Sequence, residues 1–208
     1  LIAALLAGML GVGLTLLLEA LSNTFKGTEE IENRLNLPML GILPLIKGKQ
    51  RGEMSRLFPL DQDKSFSESI RSIRTGVVLT GIDHPHQVLV ITSSIPGEGK
   101  SCVSSNLAFA LGHMEKVLLI DADLRRPTMA KNFNFPVGTP GLANLIAQTA
   151  RLDECIKTVD GIDVICAGTV PPNPLELLSS PRFAKALEVL KTKYERIVID
   201  SPPTQAVS

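Results

Sequence analysis

SSIPGEGKS, residues Ser93 to Ser101, reads as a phosphate-binding loop. It follows the apolar run Val88-Leu89-Val90-Ile91 and precedes a helical pattern, so it stands where a strand turns into a helix. Gly97 and Gly99 let the backbone curl with its N–H groups pointing inward, and the helix N-terminus adds partial positive charge. Lys100 is then placed to neutralise phosphate oxygens, and the Ser101 hydroxyl to meet Mg²⁺. An ordinary surface turn is the other reading of Gly-Glu-Gly-Lys. Residues beyond the loop separate the two.

Two further apolar runs end in carboxylates. Val117-Leu118-Leu119-Ile120 delivers Asp121 and Asp123, and Ile197-Val198-Ile199 delivers Asp200. A lone Asp after a strand is commonly a turn or helix-cap residue. Three of them beside a phosphate loop point to phosphoryl transfer, because ligands of an open parallel sheet bind outside the carboxyl ends of its strands. Mg²⁺ needs few protein ligands, and Ser101 with Asp123 and Asp200 can supply them, some through water. One of Asp121 and Asp123 can orient or deprotonate an incoming hydroxyl. Arg125 and Arg126 follow, held by Pro127, and suit either phosphate oxygens or a structural ion pair.

The intervening segments alternate. Helical patterns fall at Ser101 to Leu111, Leu142 to Ala150 and along Phe183, Leu187, Leu190 and Tyr194, with another strand at Asp163 to Cys166. The expected fold is α/β, a doubly wound, mostly parallel sheet of the phosphate-loop NTPase type. Upstream, Phe66, Ile70, Ile73 and Val77 form an apolar stripe predicting a helix over Ser65 to Leu79. Glu68, Arg71 and Arg74 occupy an adjacent stripe, where they pair locally or reach another subunit.

Lys+Arg and Asp+Glu both total 21 in 208 residues, and this balance argues against a nucleic-acid binder acting through a global basic field. Cys102, Cys155 and Cys166 are odd in number and widely spaced, which fits reduced, buried residues rather than a disulfide framework. The histidines show no ligand spacing. Leu1 to Leu18 holds no charged residue and makes about 27 Å of helix, enough to span a bilayer. A signal peptide would need a basic start and a cleavage site, neither of which is present; a buried core helix is the other rival. The expected organisation is a transmembrane helix at 1–20, a juxtamembrane linker at 21–64 and a nucleotide domain at 65–208. Lys47, Lys49, Arg51 and Arg56 in the linker fit either the inner face of a membrane or a solvated loop.

Taken together, SSIPGEGKS, LLIDADLRRP (Leu118 to Pro127), IVIDSPP (Ile197 to Pro203), PPNPLELLSS (Pro171 to Ser180) and the Glu68, Arg71, Arg74 array resemble the bacterial tyrosine kinases. The amino-terminal helix followed by LPMLGILP (Leu37 to Pro44) is similar to the membrane exit of polysaccharide co-polymerases. The resemblance implies a bacterial inner-membrane protein with a cytoplasmic, ATP- and Mg²⁺-dependent tyrosine autokinase. It also implies a ring-shaped homo-oligomer phosphorylating a carboxy-terminal tyrosine cluster in trans, joined through Glu68, Arg71 and Arg74, and regulating export of capsular or extracellular polysaccharide. It places Pro96, Gly97, Glu98, Gly99, Lys100, Ser101, Cys102 and Arg125 at the nucleotide, and Lys100, Asp121 and Asp123 in catalysis, with Asp121 the candidate base. Asp200 would belong to the metal site with Ser101 and Asp123. Tyr194, the sole tyrosine, lies on an apolar helix stripe and reads as a packing residue. With no tyrosine cluster, no starting Met and a sheet expected to continue past Ser208, the sequence reads as a fragment. The rivals are a partitioning-type ATPase, which would carry a further lysine where Ser94 and Ile95 stand, and a non-catalytic nucleotide-gated scaffold.

Overall fold

The computed structural model describes residues 2–21, 27–48 and 51–207. Leu1 and Lys49, part of the membrane-helix and linker readings, lie outside the described residues. The chain divides into two units, 1–39 and 40–208.

The first unit is helical. Helix α1 spans Ile2–Leu21, and Met9, Leu14 and Leu17 on it are exposed. Among the described residues no helix is long and apolar enough to cross a membrane. The segment expected to span a membrane is helical over Ile2–Leu21, and a membrane span is not shown. Helix α2, Thr28–Leu35, lies within the segment read as linker. Glu29 and Glu30 stand in its first turn and Arg34 in its last, each the charge that opposes the helix dipole, and Glu30 pairs with Arg34 at 2.9 Å.

The second unit is a five-stranded sheet covered on both faces. Helix α3 spans Lys64–Thr80, closed at its start by Asp63, whose side chain accepts from the Phe66 amide, and its buried stripe is Phe66, Ile70, Ile73 and Val77 as predicted. Strand β1 (Val88–Ile91) leads through the loop to helix α4 (Lys100–Gly112) and strand β2 (Val117–Asp121). Helix α5 (Leu142–Ala147), strands β3 (Ile156–Val159) and β4 (Ile162–Ile165), helices α6 (Pro174–Leu178) and α7 (Pro181–Lys191) and strand β5 (Arg196–Asp200) complete it. The strand order is β1-β5-β2-β4-β3.

Side-chain alternation along β2 divides the core. Leu119 packs with α3 and α4 on one face, whereas Leu118 and Ile120 join Leu142, Ile146 and Leu190 on the other. Among the described residues every strand pair is parallel except β3 with β4, an antiparallel edge hairpin, which agrees with the mostly parallel sheet expected. Its turn is Asp160-Gly161, both at positive φ (46° and 89°), a sequence signal for a tight hairpin.

The segment 57–60, also within the expected linker, forms a helical turn that buries Leu57 and Phe58 in the core. Asn106 of α4 fixes it. The Phe58 amide donates to Asn106 Oδ1 at 2.7 Å, and Asn106 Nδ2 donates to the Met54 carbonyl at 2.8 Å.

Candidate functional site

Register alone assembles the site. Asp121 and Asp200 end neighbouring parallel strands as register partners, and Ile91, from which the loop departs, is the partner of Asp200 on the other side. All three strands therefore deliver their next residues to one carboxyl edge, with β5 between the loop and the Asp-x-Asp pair. Backbone bonds stitch that edge together: Ser201 N donates to the Ile91 carbonyl at 3.0 Å, Ala122 N to the Asp200 carbonyl at 2.8 Å, and Thr204 N to the Ser93 carbonyl at 2.9 Å.

In the loop, Gly97 and Gly99 adopt φ of 94° and 89°, where a side chain would be strained. The Glu98 carboxylate turns back and accepts from the Ser94 and Ile95 amides at 2.7 and 3.2 Å. Of Glu98, which the resemblance placed at the nucleotide, the side chain is thus engaged within the loop. A cavity of about 610 Å³ is lined by Pro96, Gly97, Gly99, Lys100, Ser101 and Cys102, by Asp123, Arg125 and Arg126, by Pro202-Pro203 of the IVIDSPP motif, and by residues that sequence reasoning had not singled out: Met54, Ser55, Thr128 and Asn132. Asn106 was equally missed. Its signal was an amide inside the apolar run of α4, a position where an unpaired polar group is costly.

Lys100 Nζ donates to Asp123 Oδ2 at 2.8 Å and lies 3.7 Å from Asp200 Oδ1. This pair is only 11% and 7% exposed, so solvent screens it little. Asp121 and Asp200 are 0% exposed and lie outside the cavity lining. Asp121 accepts from the amides of Asp123, Thr128 and Met129 at 3.2, 3.3 and 3.1 Å. Burial, then the Asp200 charge, nevertheless pushes its carboxyl up to about 7. Of the Asp-x-Asp pair, Asp123 is therefore the carboxylate that faces the cavity, and Asp121, the candidate base by resemblance, holds the turn behind it.

Asp200 is raised as well, chiefly by burial, against the favourable Ser101 hydroxyl and Lys100 charge. Among the described residues both its oxygens lack a hydrogen-bond partner; Ser101 and Ser104 lie near enough to favour its charge without bonding geometry. An orphaned buried carboxylate beside a loop hydroxyl fits the outer shell of a Mg²⁺ ion. Among the described residues no group of three His, Cys, Asp or Glu forms a metal cage.

Cys102 points its thiol at the Met54 carbonyl, 3.2 Å away, and burial raises its pKa to about 11. All three cysteines are free. Arg71 pairs with Glu68 and lies over the Phe58 ring at 5.5 Å, while Arg74 donates to the Ala110 carbonyl at 3.2 Å, so this array makes local contacts within the chain. Tyr194 is buried, its hydroxyl donating to Asp163 at 2.8 Å; burial first, and then this carboxylate, raise its pKa.

Residues 86–208 match the family profile of the AAA domain. The chain is 36% identical over 216 residues to the tyrosine-protein kinase ptk of Acinetobacter johnsonii, covering 98% of this chain and 29% of that protein. It thus spans less than a third of that relative's length. To tyrosine-protein kinase YwqD of Bacillus subtilis it is 37% identical over 166 residues, covering 77% of this chain and 70% of that one. The solved kinase domain of Escherichia coli tyrosine kinase ETK superposes with a TM-score of 0.79 at 29% identity, over 88% of this chain and 76% of that domain. Alike in sequence over most of YwqD and alike in fold to a solved kinase domain, this chain belongs to the bacterial tyrosine-protein kinase family.

Proposed function

We propose that the chain carries the catalytic site of an ATP-dependent protein tyrosine kinase. The observation that supports it most is the convergence of the Ser93–Ser101 loop, Asp123 and Asp200 on one sheet edge in a chain of this family. The amides of Gly97 to Ser101 cradle the phosphates of ATP at the start of α4. Mg²⁺, when bound through Ser101 and Asp200 with Asp123 nearby, supplies neutralisation of the phosphoryl oxygens. Lys100 leaves Asp123 for the phosphate oxygens. Asp123, released and facing the cavity, accepts the phenolic proton as the tyrosine oxygen bonds to the γ-phosphorus and the bond to ADP breaks. Asp121 positions Asp123 through its backbone amide.

The wider reading follows the family. Residues 1–20 cross the bacterial inner membrane, 21–64 form the juxtamembrane segment and 65–208 the cytoplasmic kinase domain; Glu19 is the sole charged residue of α1. Subunits assemble into a ring through Glu68, Arg71 and Arg74, phosphorylate one another's tyrosines, and thereby regulate capsular or extracellular polysaccharide export. Incubation with Mg²⁺, γ-labelled ATP and a tyrosine-rich peptide, followed by phosphoamino-acid identification, tests the enzymatic core. Label on tyrosine is expected; ATP binding with no labelled tyrosine would favour the nucleotide-gated scaffold.

A further inference from the structure

Four charged side chains line the cavity: Lys100, Asp123, Arg125 and Arg126. Lys100 is engaged by Asp123, and Arg125 also has a partner. Arg126 is exposed, and among the described residues its guanidinium makes no ion pair or hydrogen bond. Its backbone is nonetheless fixed. The Arg126 amide donates to Asp123 Oδ1 at 3.0 Å, and Pro127 restricts the chain after it. Of the site's carboxylates, Asp123 is engaged by Lys100 and by the Arg126 amide, Asp121 accepts three amides behind the turn, and Asp200 is fully buried. An exposed guanidinium that lines the cavity without an ion-pair partner is arranged to meet an acceptor from outside. The neighbouring walls, Met54, Pro96, Pro202 and Pro203, are apolar and suit an aromatic ring.

Resting on the kinase reading above, we propose that Arg126 determines acceptor specificity by pairing with a carboxylate that flanks the target tyrosine, so that acidic tyrosine peptides are preferred. The hydrogen bond from its backbone amide to Asp123 ties this recognition to the carboxylate facing the acceptor hydroxyl. Electrostatic matching of this kind selects partners more than it adds affinity.

The test is kcat/KM on two tyrosine peptides identical except for Glu or Gln beside the tyrosine, with the wild-type chain, Arg126→Ala and Arg126→Lys. A wild-type preference of about tenfold for the Glu peptide is expected, falling to about one in Arg126→Ala and partly restored in Arg126→Lys. The preference should also shrink with added salt. Equal losses on both peptides, an undiminished preference in Arg126→Ala, or a rise in KM for ATP alone would overturn it; the last would make Arg126 a nucleotide residue. Fluorescence-anisotropy binding of the same labelled peptides separates the two levels. A Glu preference in binding that depends on Arg126, without any phosphotyrosine, retains this inference and rejects the kinase reading; no discrimination in binding or turnover rejects the inference.

Discussion

Lys100 donates to Asp123 at 2.8 Å, whereas the transfer proposed above places both groups elsewhere: the ammonium on phosphate, the carboxylate on the acceptor. The ion pair therefore competes with nucleotide. Asp123→Asn should bind ATP as tightly as wild type or tighter while losing about a hundredfold or more in turnover. Lys100→Met should lose affinity and turnover together. Calorimetric titration of ATP beside steady-state rates separates them; weaker ATP binding by Asp123→Asn would mean the pair supports the bound state.

The pH dependence of stability has an unusual sign. Asp121 is raised to about 7 and Asp200 is raised also, so the folded chain retains protons that the unfolded chain releases. This contribution favours folding at low pH and is lost as pH rises through about 7. Denaturant melts of the nucleotide-free chain should show stability falling between about pH 4 and pH 7, by at most about 1.4 kcal/mol per pH unit for each proton. Asp200→Asn should flatten that slope and stabilise the chain at pH 8 by about 1–2 kcal/mol, since its oxygens have no bonded partner, while weakening Mg²⁺-dependent ATP binding. A steeper slope, or destabilisation, would contradict this.

Much of the site was legible because strand ends and register carry it. An apolar run ending in Asp states both a strand and the edge to which it delivers a carboxylate, and α3 declared itself through Phe66, Ile70, Ile73 and Val77. Long-range partners were less legible. That Asp123 faces the cavity and Asp121 lies behind it depends on the turn through Thr128 and Met129, and two acidic residues in sequence look alike. Leu57 and Phe58 sat in a stretch too short to show periodicity, and their burial depends on Asn106, distant in sequence. The Asp160-Gly161 turn carried a readable signal, but the short strand before it, Ile156–Val159, was not picked out beside Asp163 to Cys166.

The Glu68–Arg71 pair is exposed enough that its loss should cost the fold about 1 kcal/mol or less. If the array joins subunits, Glu68→Ala combined with Arg71→Ala should lower the mass found by sedimentation while leaving the melting temperature nearly unchanged. An unchanged mass would confine the array to its local contacts.

Tyr194 is predicted to be structural. Tyr194→Phe removes its bond to Asp163 and should cost about 1 kcal/mol in a denaturant melt, with no change in phosphotyrosine formed on an added peptide. Phosphate found on Tyr194 in the folded chain would contradict its buried placement.

The central claim is that the edge formed by Lys100, Asp123 and Asp200 transfers phosphate to tyrosine. Its most direct test is the initial rate of phosphotyrosine formation at saturating ATP and Mg²⁺, measured for wild type, Lys100→Met and Asp123→Asn in parallel. The predicted result is steady accumulation for wild type and a rate lower by about two orders of magnitude or more in each variant. Equal rates in all three, or no phosphotyrosine from wild type despite bound ATP, would contradict it.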